Sequence, residues 1–167
     1  MADAGKAGDP ETRASRPHME GYGVPKVLEG ILPWKWARER LSKSHNYWLM
    51  TVRPDCAPHA MPVWGIWLKG AWYCATDAKS RKARNLAKNP HCVVCTENAA
   101  EAVILEGVAR KLAAPEIPRQ AYVDYKAKYD WELGSTEGSV LFEVRPRLVF
   151  AMPEKQFPKG VTRWNFA

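Results

Sequence analysis

Between residues 79 and 88 the chain reads KSRKARNLAK, setting Lys79, Arg81, Lys82, Arg84 and Lys88 beside the hydroxyl of Ser80. Ser80 is a good helix N-cap and Asn89-Pro90 a good stop, so the spacing predicts a helix over Ser80–Lys88. A helix start presents unbonded N–H groups and the positive end of the dipole, which together suit an anion such as a phosphate. On that helix Arg81, Lys82 and Asn85 lie close enough to converge on one anion. Ser80 can add a hydroxyl and Arg84 adds field. The competing reading is a basic helix face that meets only water.

The segment His59-Ala60-Met61-Pro62-Val63-Trp64 is the second candidate. In a strand His59, Met61 and Val63 share one face, and Ala60, Pro62 and Trp64 the other. Pro62 has no N–H to give a ladder, so this strand is expected at an edge or locally opened, with backbone groups exposed for a ligand. Cys92-Val93-Val94-Cys95 has CxxC spacing, but HCVVCT reads as a strand, which turns the two sulfurs to opposite sides. No second CxxC or paired His completes a zinc set, so this pair is expected as core thiols and no metal site is expected. Glu106 lies inside a strand pattern and Cys74 has no nearby His, so no catalytic acid, base or nucleophile is assigned.

These residues sit on a run of short strands. The pattern predicts strands at His45–Val52, His59–Leu68, Ala71–Thr76, His91–Glu97, Ala102–Leu112 and Ser139–Met152, the last interrupted at Pro146. A short helix is expected within Val24–Lys43, with Pro33 in its first turn, and another over Ala114–Asp130. The six strands follow one another as antiparallel hairpins, with no βαβ alternation and no GxGxxG, which argues for a mainly β barrel and against a Rossmann site. Residues 1–23 are polar and small and are expected as a disordered leader; 24–167 are expected as one domain ending in an exposed tail.

The chain has 167 residues, 46% of them hydrophobic and 26% charged, in keeping with a soluble globular domain. No apolar run is long enough to span a membrane and residues 1–23 lack the apolar stretch of a secretory signal, so cytoplasmic residence is expected. The net charge of +7 gathers in the 79–88 knot, which is short and fits one bound phosphate better than nucleic acid. Eight tryptophans are many for a chain of this size, and most are expected in the core or at an interface between copies.

In order and spacing the elements LMTVRPDCAPHAMPVWGIWLKGAWYCAT, SRKARNLAKNPHCVVC and VILEGVARKL resemble the pyridoxamine 5'-phosphate oxidase-like superfamily of flavin and deazaflavin oxidoreductases. The likeness runs from Trp48 to Arg110, and about 100 residues match once the final strand is counted. It implies a six-stranded antiparallel split β-barrel, a homodimer, and a small-molecule substrate reached by hydride transfer. It also implies that Lys82 and Asn85, with Arg81 beside them, hold the cofactor phosphate. Residues 59–64 would line the ring and ribityl chain, with Ala75 and Thr76 against them. The terminal TRWNF resembles the deazaflavin branch, in which the tail covers the partner's site, and so brings Arg163 and Trp164 toward the ring. His59 and Ala102 stand where FMN-binding members tend to carry Arg and Gln, which favours coenzyme F420 over FMN. The chain's ending does not reproduce the Arg/His substrate motif of pyridoxamine phosphate oxidation. A non-catalytic flavin or haem carrier on the same barrel is the alternative from another class.

Overall fold

The structure is a computed structural model that describes residues 12–166. Nine strands form one antiparallel sheet: β1 (Thr12–Ser15), β2 (Tyr47–Val52), β3 (Pro58–Val63), β4 (Ile66–Leu68), β5 (Ala71–Asp77), β6 (His91–Thr96), β7 (Glu101–Leu112), β8 (Ser139–Pro153) and β9 (Thr162–Phe166). Three α-helices accompany them: α1 (Trp34–Lys43), α2 (Arg81–Lys88) and α3 (Arg119–Tyr129). None of the described helices is long and apolar enough to cross a membrane.

The six expected strands make the barrel. β8 carries β5 and β9 along one side and β7 along the other, and the ladder runs on through β6 and β2 to β3. The expected strand at 59–68 is two strands. β3 pairs only with β2 and β4 only with β5, and the chain crosses between them at Trp64-Gly65. A Cβ on Gly65 would lie 2.3 Å from Cζ2 of Trp72, so glycine is required where the backbone passes over that indole. The ring of strands is therefore open rather than closed, and the opening is where Pro62 placed the edge.

Alternation along the strands fills the interior. Tyr47, Leu49, Trp72, Cys74, Val94, Val103, Leu105, Val144 and Val149 are buried in one cluster. Burying such side chains contributes roughly 1.5–3 kcal/mol each. The other face of β5, with Ala71 and Tyr73, joins Ile66, Ala121, Tyr125 and Leu133 in a second cluster under α3. β5 is thus covered on both faces, and its burial from Ala71 through Cys74 is continuous rather than alternating. Pro146 coincides with a bulge: Glu106 faces Leu148 while Gly107 faces Pro146, which leaves Arg147 outside the ladder.

Two expectations at the ends are corrected. The tail is exposed over 154–157 as expected, but its end is a strand, because Thr162–Phe166 pairs with both β8 and β1 and Trp164 needs burial. The leader expectation fails from Thr12 onward: β1 pairs with β9, and the Arg16 guanidinium donates to the carbonyls of Val27, Glu29, Lys159 and Val161. The remainder of that expectation, residues 1–11, lies outside the described residues. The expected helix at 114–130 is a 3-10 turn at Ala114–Glu116 followed by α3, the two separated at Pro118.

Candidate functional site

Two strand edges without partners face each other across the opening. On one side is β3 with Pro62 and Val63, and Trp64 just beyond it. On the other is β5 past the end of β4, with Ala75 and Thr76. Between them lies a cleft of about 420 Å³, also lined by Lys82 of α2, Tyr125 of α3 and Asn46. Unpaired edges expose backbone N–H and C=O groups, so the cleft offers a ladder of hydrogen bonds to a flat polar ring.

The Lys82 side of the cleft follows from how α2 begins. The side chain of Ser80 caps the helix by accepting from Ala83 N at 3.2 Å, and its hydroxyl lies 3.2 Å from that of Thr76. The amides of Arg81 and Lys82, one and two residues into the helix, have no acceptor among the described residues. Lys82 is half-buried and has no carboxylate within ion-pair reach among the described residues. Its charge is felt by Cys74, whose thiol burial pushes up to about 12 against the opposing pull of Lys82. Arg81 and Arg84 are exposed on the outer turn, where they add field without lining the cleft.

The opening is held by α3. The Tyr129 hydroxyl accepts from Gly65 N at 2.9 Å and lies 2.7 Å from the carbonyls of Gly65 and His45. Lys128 Nζ donates to Gly65 O at 3.1 Å and to the Tyr47 hydroxyl at 2.9 Å. Burial holds the Lys128 ammonium down to about 8, with Glu97 opposing. Trp64 stacks on Tyr129 with centroids 4.8 Å apart and planes 10° from parallel, so the indole wall of the cleft is a supported one.

Of the residues expected at the site, Pro62, Val63, Trp64, Ala75, Thr76 and Lys82 come together in the cleft, with Ser80 beside Thr76. Met61 is exposed on the same open strand, and His59 is half-buried with Nδ1 3.4 Å from Thr51 Oγ1. Two assignments are corrected. Asn85 is fully buried and its Nδ2 donates to Thr51 Oγ1 at 2.9 Å, so it faces inward and ties α2 to β2 instead of meeting an anion. Trp164 is 1% exposed with its ring 5.4 Å from that of Trp34, because the alternation of β9 turns it into the core. Cys92 is buried inside the sheet while Cys95 lies on its other side, the arrangement expected of a strand.

Sequence reasoning missed Asn46 and Tyr125. Tyr125 had a signal: Ala121, Tyr125 and Tyr129 recur every fourth residue, one helix face that carries two phenol hydroxyls toward whatever the helix covers. Asn46 had none, since it lies in the turn before β2.

An open antiparallel barrel with a lysine among the residues lining the cleft at its split defines a class, and residues 34–152 match the family described as Pyridoxamine 5'-phosphate oxidase. The chain belongs to that family, which includes flavin-related oxidoreductases. Among solved structures it is similar to a protein named F420 Reductase, at 22% identity and a TM-score of 0.56, covering 67% of this chain and 94% of that one. It is similar to a conserved hypothetical protein from Mycobacterium tuberculosis at 22% identity and a TM-score of 0.65, covering 75% and 87%. It is also similar to HutZ, a haem storage protein from Vibrio cholerae, at 18% identity and a TM-score of 0.59, covering 71% and 91%. At these identities the likeness is one of fold. No curated protein sequence matches the chain.

Proposed function

We propose that this chain is an oxidoreductase that holds a deazaflavin, coenzyme F420, in the cleft at the barrel opening and passes hydride to a small organic substrate. The observation that carries the reading is Lys82, a lysine that lines the cleft beside the free amides of a helix start and has no acidic partner among the described residues. A cation without a carboxylate partner, set beside unbonded N–H groups at the positive end of a helix, attracts a ligand that brings its own negative charge. In this reading Lys82 and the free amides of the first turn of α2 hold the phosphate, and Thr76 and Ser80 offer hydroxyls. The open edges of β3 and β5 meet the polar rim of the ring, and Trp64 supports its face. When bound, the ring supplies the hydride-carrying atom, and the protein orients it and keeps water off one face.

F420 is preferred to FMN because His59 and Ala102 bring neither the guanidinium nor the amide that the family resemblance associates with FMN. A haem carrier fits this cleft less well, because neither His59 nor His91 lines it. The protein is further proposed to be a homodimer. Trp48 is 44% exposed and lies opposite Pro62 in register, so the outer face of β2 and β3 is an apolar surface suited to a second copy.

The test is cofactor titration of protein made in a host lacking deazaflavin, followed by tryptophan quenching. F420 is expected to bind more tightly than FMN, and Lys82→Ala to weaken it by about 1–3 kcal/mol. Unchanged affinity in that variant, or binding of haem alone, overturns the assignment.

A further inference from the structure

Four tyrosines are buried or half-buried, and three have their hydroxyls engaged within the protein. Tyr47 donates to Leu41 O, Tyr73 donates to Glu143 Oε1 at 3.0 Å, and Tyr129 is bonded across Gly65. Tyr125 is the fourth. It is 5% exposed and its ring lies 4.7 Å from that of Tyr129, yet its hydroxyl has no hydrogen-bond partner among the described residues. Nor is that hydroxyl sealed in the core without a partner; Tyr125 lines the cleft at the barrel opening. A buried aromatic hydroxyl that stays unpaired forfeits a hydrogen bond, whereas one facing a binding cleft keeps a partner in water or in a ligand.

The position of Tyr125 adds direction. Ala75 and Thr76 are neighbours on β5 whose side chains point to opposite faces: Thr76 toward Ser80 and α2, Ala75 toward the cluster under α3 that holds Tyr125. The cleft therefore has two chemically different sides, an ammonium at α2 and a phenol at α3, with the β5 edge between them. We propose that Tyr125 is a ligand-binding residue that donates its hydroxyl proton to a carbonyl oxygen on the polar rim of the bound ring, on the side of the cleft away from Lys82. The inference rests on the proposed ring-and-phosphate reading of this cleft. It adds that the site selects ligands with a hydrogen-bond acceptor on the ring as well as an anionic tail. Burial favours the neutral phenol, raising it to about 12 with Cys74 adding to the rise, so the group donates throughout the physiological range. Flavins and deazaflavins share the pyrimidinedione carbonyls this donor requires.

The experiment uses the full chain with four probes: F420 and its ring-and-ribityl portion without the phosphate tail, and FMN and riboflavin. Tyr125→Phe keeps the ring and removes one oxygen that bonds nothing in the protein, so its melting temperature should match the parent's. It is expected to weaken each probe that binds by about fivefold, with or without phosphate. Lys82→Ala is expected to weaken only the phosphate-bearing probes and to erase the parent's preference for them. If Tyr125→Phe leaves every dissociation constant unchanged while Lys82→Ala acts, the Tyr125 assignment is wrong and the phosphate reading stands. If the parent binds phosphate-free and phosphate-bearing probes equally and Lys82→Ala changes nothing, the phosphate reading falls while a Tyr125 effect on the ring is still scored by itself. If no probe binds the parent, both are overturned.

Discussion

Gly65→Ala is expected to damage this protein more than any other single methyl addition at the site. The new Cβ would meet three atoms of one indole: Trp72 Cζ2 at 2.3 Å, Cε2 at 2.4 Å and Nε1 at 2.7 Å. Carbon atoms rest at about 3.5–4.0 Å, so one partner must retreat by roughly 1 Å. Neither is free to. Trp72 is 0% exposed and set edge-on against Tyr47 at 5.4 Å, while the Gly65 amide and carbonyl are bonded to Tyr129 and Lys128. Overpacking a tight core usually costs 1–3 kcal/mol, and a clash against a rigid aromatic belongs at the top of that range, about 3 kcal/mol. For a chain of this size that lowers the melting temperature by about 6–12 °C. Urea denaturation followed by tryptophan fluorescence measures it, and a double-mutant cycle with Trp72→Phe assigns it. The smaller ring reaches less far toward Gly65, so the two substitutions together should cost well under their sum. A Gly65→Ala protein within about 0.5 kcal/mol of the parent, or a strictly additive cycle, refutes the argument that the barrel opens there because only glycine clears Trp72.

Asn85→Ala should destabilise the fold by about 1–3 kcal/mol through loss of the buried bond to Thr51. It should change cofactor affinity far less than Lys82→Ala, so a larger affinity loss in isothermal titration would return Asn85 to the cleft. Trp164→Ala should cost about 3–5 kcal/mol by chemical denaturation, since it empties a core site; a small loss would mean that the ring is not core. Burial raises the Cys74 and Cys92 thiols from 9.0 to about 12 in the folded protein. The stability they contribute is full below pH 9 and is lost as pH rises from 9 to about 12, because the unfolded chain gives up protons that the folded one keeps. Lys128, lowered to about 8, works in the opposite sense, so the comparison to make is the fall in urea midpoint from pH 8 to pH 10 in the parent and in Cys74→Ala/Cys92→Ala. The double variant should fall less, and equal slopes would count against thiol burial. Trp48→Glu should shift the protein toward monomer in sedimentation velocity, and an unchanged dimer would move the interface elsewhere.

Local patterns in the chain determined the barrel strands, the capped start of α2 and the edge at Pro62. Each is set by short-range physics: period-two alternation, a serine that caps, a ring without an N–H. They also placed six of the expected site residues on two strand edges and one helix that line a single cleft. Three things needed the tertiary structure. The inward turn of Asn85 depends on Thr51, thirty-four residues earlier in the chain, being its hydrogen-bond partner. The burial of Trp164 depends on β9 adding to β8 and meeting Trp34, so a tail that looks polar and loose in isolation becomes a strand. The role of Tyr125 depends on α3 lying over the gap between β3 and β5, and a helix's stripe does not say what it will cover. Alternation and caps act between neighbours and can be read along the chain, whereas the partner of a side chain is chosen by elements that meet only when the sheet curls.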